Sequence, residues 1–140
     1  MNITIKPLTI KDYDDIVSML QEISEYIPLE KNKKENFKTF INQKNQASVA
    51  IYDNELIIGF GTVLYEYKIR GGKVAHIEDI VIRKSHQRKG LGKKLIENLI
   101  LLSRKNKCYK VTLSCLEKNI AFYESCGFST NGNNMSLLLK

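Results

Sequence analysis

Residues 73–106 constrain the fold of this chain more than any other stretch. Residues 73–82 (KVAHIEDIVI) form a β-type apolar run, and a polar loop follows. From there Leu91, Leu95, Ile96, Leu99 and Leu102 recur at the spacing of a helix over residues 91–106. A second β run, residues 108–115 (CYKVTLSC), comes next. Strand, helix and strand in that order make a crossover, which joins parallel neighbours in one sheet. The preceding residues read differently. Residues 47–52 are a β run, Asp53-Asn54 a turn, residues 55–69 a long strand or pair of strands, and Gly71-Gly72 the next turn before residues 73–82. Short turns of this composition join antiparallel strands. The predicted fold is therefore α/β, a mixed antiparallel–parallel central sheet flanked by helices.

The ends of the chain fit around that sheet. Residues 2–6 alternate as a short strand, and Thr9 followed by Asp12 reads as a helix start. Ile10, Tyr13, Ile16, Val17, Leu20 and Ile23 carry a helix toward Pro28. Phe37, Phe40 and Ile41 mark one face of a second helix, whose flank of Lys31, Lys33 and Lys34 reads as solvated. Residues 118–126 suit a short last helix, and the tail suits a hairpin around Asn131-Gly132. At 140 residues the chain is expected to be one domain, 1–140. No apolar run approaches the ~18 residues of a membrane span. The N-terminus lacks a signal-peptide layout, so a cytoplasmic location and no membrane contact are expected. Cys108, Cys115 and Cys126 have no metal-ligand spacing and are expected as reduced thiols, with no metal site.

Charge is unevenly placed. Residues 1–70 hold 9 Lys/Arg against 10 Asp/Glu, whereas residues 71–140 hold 13 against 5. Six of the basic residues fall in 83–94 (RKSHQRKGLGKK), which contains no acid. Such a segment points to a polyanionic partner. Nucleic acid is one such partner, but no helix–turn–helix or exposed aromatic platform accompanies the charge. A phosphate-rich cofactor is another. Gln87-Arg88-Lys89-Gly90-Leu91-Gly92 lies between a strand and a helix. Glycines there admit a ligand close to the backbone, and the helix start aims free N–H groups and its positive dipole end at phosphate. Arg88, Lys89 and Lys93 add full charges. The loop lacks the third glycine of a dinucleotide fingerprint and the G-K-[ST] ending of a Walker A loop.

The Q-x-x-G-x-G of residues 87–92 resembles the acetyl-CoA pyrophosphate loop of the GNAT N-acetyltransferase superfamily. Within it, His76-Ile77-Glu78-Asp79-Ile80-Val81, Cys108-Tyr109-Lys110-Val111 and Asn119-x-x-Phe122-Tyr123-x-x-Cys126-Gly127-Phe128 resemble the glucosamine 6-phosphate N-acetyltransferases. The likeness runs from about residue 68 to residue 135; the N-terminal half matches in general layout. The resemblance implies a sheet splayed open at the acetyl-CoA site. It implies that the backbone of Ile80, Val81 and Ile82 holds the pantetheine arm. Arg88, Lys89, Gly90, Leu91, Gly92 and Lys93 would hold the pyrophosphate, and Ser114 and Asn119 would border the cofactor. Lys68, Arg70, Glu78, Asp79, Tyr109 and Lys110 would line the sugar phosphate. Glu78 would take or orient the amine proton, and Tyr123 would help the CoA thiolate leave. Cosubstrate acetyl-CoA, substrate glucosamine 6-phosphate, a step toward UDP-N-acetylglucosamine and a homodimer are implied with them.

Glu78 and Asp79 are adjacent acids in an apolar strand, so at least one should face inward unless a bulge intervenes. Asn119 is expected to cap the last helix. His76 and His86 are expected in core or surface roles rather than catalysis. Two departures from the family pattern stand out. Ser114 occupies a position where relatives usually carry an acid, which leaves only its backbone carbonyl to orient an amine. Leu138 stands where relatives often carry a phosphate-binding Arg, leaving Lys140 or Arg70 as substitutes. Rival functions are a GNAT enzyme for a protein N-terminus, a lysine or a polyamine, a non-catalytic acetyl-CoA sensor, and a nucleic-acid module. Basic charge near the acceptor site disfavours polycationic acceptors, and retained Glu78 and Tyr123 disfavour a sensor.

Overall fold

A computed structural model describes residues 1–23 and 33–139. The expectations for Pro28, Lys31 and Lys140 fall outside the described residues. Among the described residues five strands form one sheet in chain order: β1 (Ile3–Pro7), β2 (Gln46–Asp53), β3 (Leu56–Tyr67), β4 (Lys73–Ile82) and β5 (Lys110–Leu113). The first three pairings are antiparallel, and β4 pairs with β5 in parallel. The crossover between them is α3 (Leu91–Lys105). Helices α1 (Tyr13–Ile23) and α2 (Lys33–Ile41) lie between β1 and β2 in the chain, and α4 (Ile120–Ser125) follows β5. This is the mixed sheet with flanking helices expected from the sequence.

Each helix stripe finds one face of the sheet. Leu95, Ile96 and Leu99 of α3 are fully buried against Val63, Tyr65, Ala75 and Ile77. On the opposite face Ile16 and Met19 of α1 pack with Ala50, Phe60 and Val81. Gly61 lets α3 come close, since a Cβ there would stand 3.0 Å from Leu99 Cδ1 and 3.1 Å from Leu95 Cγ. Asp12 fixes the start of α1. Its carboxylate accepts from the Thr9 N–H at 2.8 Å and from the Tyr52 hydroxyl at 2.6 Å. Burial, then the Asp12 hydrogen bond, pushes the Tyr52 phenol up to about 12.

The alternation of β4 breaks once. Thr62 pairs with Asp79 and Val63 with Ile77, so Glu78 has no partner on β3. This is a β-bulge, and it reverses which face each later residue addresses. Ala75 and Ile77 pack under α3, yet Val81 packs under α1, while Ile80 and Ile82 turn toward α3. The bulge is the exception under which neither adjacent acid need face inward, and Glu78 and Asp79 are both exposed. The bulge absorbs the extra residue that strict alternation would have sent inward.

Strand β5 is shorter than residues 108–115, because it pairs only with Val74 to Ile77. Beyond that point β4 bends at the bulge and the two strands part. The tail hairpin is a further correction. Gly132 takes a positive φ of 75°, but residues 129–139 form no strand among the described residues. A two-stranded hairpin is marginal without a third strand or a helix to cover it, and Met135, Leu137, Leu138 and Leu139 stand exposed. No described helix is long and apolar enough to cross a membrane.

Candidate active site

The site grows from the parting of β4 and β5. On one side the backbone of Ile80, Val81 and Ile82 pairs with Gly61, Phe60 and Gly59. On the other, β5 reaches no further than the partner of Ile77, so the edge from Ile80 to Ile82 faces no described strand. An extended ligand arm with amides can add to such an edge as a strand would. Ser114 lies exposed just past the end of β5, across the gap.

The loop after β4 divides its labour. Arg83 donates from Nε to the Ile57 carbonyl at 2.8 Å and pairs with Glu22 of α1 at 3.4 Å. The same Glu22 accepts the Lys84 backbone N–H at 2.6 Å. Gln87 donates from Nε2 to the Ile82 carbonyl at 2.9 Å. His86 Nε2 lies 3.1 Å from Asp53 Oδ2, and this hydrogen bond, ahead of one from the Asn2 N–H, holds the Asp53 carboxyl below its usual range. These residues clamp the loop to the sheet and to α1. The sequence motif marked Gln87 without revealing this role, and Glu22 carried no local signal at all.

Arg88 and Lys89 then emerge exposed, and with Lys93 form no ion pair among the described residues. Arg88 and Gly90 both have left-handed backbone, at φ 61° and 78°. Among the described residues no side chain caps α3, and its first turn holds no acid. The first N–H groups of α3, beginning at Leu91 and Gly92, are thus left for an anion.

The acids sit where the strands part. The Thr62 hydroxyl donates to Asp79 Oδ2 at 2.9 Å and is placed 3.2 Å from the Asp79 N–H. Thr62 is buried and clips the bulge, which leaves the Glu78 carboxylate as the exposed acid without a described partner. Thr62 lay hidden from sequence reasoning because its partner is seventeen positions away. Further along the same face, the Thr112 hydroxyl meets His76 Nδ1 at 2.8 Å. His76 Nε2 lies 3.3 Å from Glu66 Oε2. The Lys68 ammonium bonds Glu66 and holds its carboxyl below the usual range. Lys110 starts β5, with its Nζ 5.7 Å from the Tyr109 ring centroid. Arg70, in the β3–β4 turn, is exposed.

Tyr123 of α4 is half-buried between Phe122 and Phe128, with ring centroids at 5.0 and 6.1 Å in edge-on geometry. Burial, then repulsion from the neighbouring Cys115 and Cys126, raises its phenol above 10.0. It therefore keeps its proton at neutral pH. Asn119 departs from expectation. A 3₁₀ turn, Glu117–Asn119, runs straight into α4, and the Asn119 side chain makes no cap bond. Its exposed carboxamide is left for another partner. The described residues contain no cluster of His, Cys, Asp and Glu able to hold a metal. A cavity of about 420 Å³ lies elsewhere, among Leu8, Ile41, Gln46, Ser48, Asn98 and Leu102, and shares no residue with this site.

An open parallel edge beside a capless helix start can take an extended, amide-bearing arm that ends in an anion. The Acetyltransferase (GNAT) family model matches residues 13–128, and the chain belongs to that family. GNAT acetyltransferases use acetyl-CoA as cosubstrate. Particular relatives narrow the class. The chain is 38% identical to glucosamine 6-phosphate N-acetyltransferase 1 of Dictyostelium discoideum, over 98% of this chain and 91% of that protein. It is 33% identical to the Candida albicans glucosamine 6-phosphate N-acetyltransferase, over 94% and 93%. Among solved structures, glucosamine-6-phosphate N-acetyltransferase from Arabidopsis thaliana superposes with a TM-score of 0.86 at 28% identity, covering all of both chains.

Ultraviolet titration tests the environment of Tyr123. The difference between wild type and Tyr123→Phe should show phenolate appearing above pH 10, as its raised pKa requires. A midpoint at or below 10 would place the hydroxyl in open water.

Proposed function

We propose that this chain transfers the acetyl group of acetyl-CoA to the 2-amino group of D-glucosamine 6-phosphate. The products are N-acetylglucosamine 6-phosphate and CoA. The observation that carries the reading is the near full-length similarity to the Dictyostelium and Candida enzymes, which bear that activity in their names. The free edge of Ile80 to Ile82 supports a pantetheine arm there, and the loop from Arg88 to Lys93 supports the pyrophosphate. Ser114 and Asn119 border the arm, whereas Lys68, Arg70, Asp79, Tyr109 and Lys110 line the sugar phosphate.

The chemistry is direct acyl transfer. The neutral amine nitrogen attacks the thioester carbon, and the C–S bond breaks as the tetrahedral intermediate collapses. The proton lost by nitrogen passes to Glu78, directly or through one water. Backbone N–H groups near Ile80 steady the oxyanion. The sulfur leaves toward the Tyr123 hydroxyl. Ordinary phenol and thiol values of about 10 and 8.5 make full proton transfer uphill by ~2 kcal/mol. The raised value of Tyr123 steepens that slope, so the hydroxyl serves as a hydrogen-bond donor to the developing thiolate.

The exposed apolar tail, with Leu137, Leu138 and Leu139, supports a homodimer in which a second copy covers it.

CoA release in the presence of glucosamine 6-phosphate, a lysine peptide or spermine tests the substrate class. Activity is expected with the sugar phosphate; activity with the peptide alone would overturn the reading in favour of another GNAT acceptor. Tyr123→Phe should cut kcat by roughly 10²-fold with little change in the KM for acetyl-CoA. An unchanged kcat, with chemistry shown to limit the rate, would leave Tyr123 as a packing residue. Light scattering should give twice the 16.1 kDa chain mass; a monomer at assay concentration would rule out the dimer.

A further inference from the structure

The β3–β4 turn and the start of β5 meet through an unusual contact. Gly72 has a φ of 85°, and a Cβ built on it would lie 2.6 Å from Tyr109 Cδ1 and 2.7 Å from Cε1. The ring thus occupies the space that any other residue at position 72 would need. Tyr109 is nevertheless 62% exposed, so the contact is not core packing. The Tyr109 backbone N–H donates to the Lys73 carbonyl at 2.9 Å, which docks the ring beside the turn. The turn itself is closed by Lys68 N–H to Gly72 O at 3.0 Å and Gly71 N–H to Lys68 O at 2.9 Å. Lys110 holds its ammonium 5.7 Å from the same ring. The ring is therefore shared by a turn carrying Lys68 and Arg70 and a strand carrying Lys110.

We infer that Gly72 is a positioning residue for substrate. Resting on the proposed sugar-phosphate reading, the Gly72–Tyr109 contact sets the spacing of the basic groups that receive the phosphate. Cations brought to a fixed spacing favour a dianion over a neutral sugar, because the attraction is not spent on ordering a loose loop. Gly72 thereby sets the preference for a phosphorylated amino sugar, and it acts through Tyr109, Lys68 and Arg70 rather than by touching the reacting atoms. The neighbouring glycine supplies the control. Gly71 also has positive φ, 102°, but a Cβ there meets nothing within 4 Å.

The test compares Gly72→Ala with Gly71→Ala. Both carry the strain of a side chain at positive φ, but only the first collides with Tyr109. Gly72→Ala should raise the KM for glucosamine 6-phosphate by about tenfold or more, while the KM for acetyl-CoA stays within about twofold. Its preference for glucosamine 6-phosphate over glucosamine should fall by a similar factor. Gly71→Ala should keep both constants and the preference. Tyr109→Ala, at an exposed position that does not endanger folding, should reproduce the selective loss. The double variant Gly72→Ala with Tyr109→Ala should be no worse than either alone, as expected for two residues acting as one unit. Equal effects of the two glycine substitutions, or a Tyr109→Ala enzyme with unchanged preference, would overturn the inference while leaving the proposed reaction intact. A wild type inactive on glucosamine 6-phosphate would overturn the substrate reading and this inference together.

Discussion

The bulge at Glu78 is the constraint on which the remaining architecture rests. A regular β4 would send Asp79 and Val81 to the α3 face with Ala75 and Ile77. That would bury a carboxylate under Leu95 and Leu99 and remove Val81 from its packing against Ile16 and Met19. Burying an unpaired carboxylate in such a setting is strongly unfavourable. One unpartnered residue resolves both problems and gives the strand two chemically different halves. It also bends β4 away from β5, so the fault in the ladder and the opening of the cleft are one event. Thr62 holds the fault in place from the neighbouring strand.

A comparable economy governs the basic loop. Six positive residues in twelve positions look alike in sequence. In the fold they separate into an anchor and an exposed set. Arg83 is tied to a carbonyl and to Glu22, and Gln87 and His86 are tied to the sheet. Arg88 and Lys89 are left facing solvent. Left-handed backbone at Arg88 and Gly90 turns the chain sharply into α3. Fixing the loop before any ligand arrives lowers the ordering cost of binding a flexible, highly charged molecule.

Much of this was legible in the chain. The stripe Leu91, Leu95, Ile96 and Leu99 announced α3, and Asp53-Asn54 and Gly71-Gly72 announced the antiparallel turns, because local spacing determines both. The acids Glu78 and Asp79 were visible as an anomaly, but which way they faced depended on a cross-strand register that no local pattern encodes. The same holds for Thr62, Glu22 and Gly72, whose partners lie far along the sequence. Asn119 misled for the opposite reason: a good capping residue was displaced by the 3₁₀ turn that precedes α4. The tail misled because Asn131-Gly132 is a strong turn signal with no third strand to support its arms.

The parallel pairing of β5 spans only Val74 to Ile77, and that brevity has a mechanical consequence. The sheet is stiff from β1 to β4, where long ladders and two packed faces restrain it, and compliant at its last edge. Deformation therefore concentrates in the segment bearing β5 and α4, whose local opening costs less than global unfolding. Opening of that segment alone would change the gap beside Ile80 to Ile82 and leave the clamp of Arg83 on Glu22 in place.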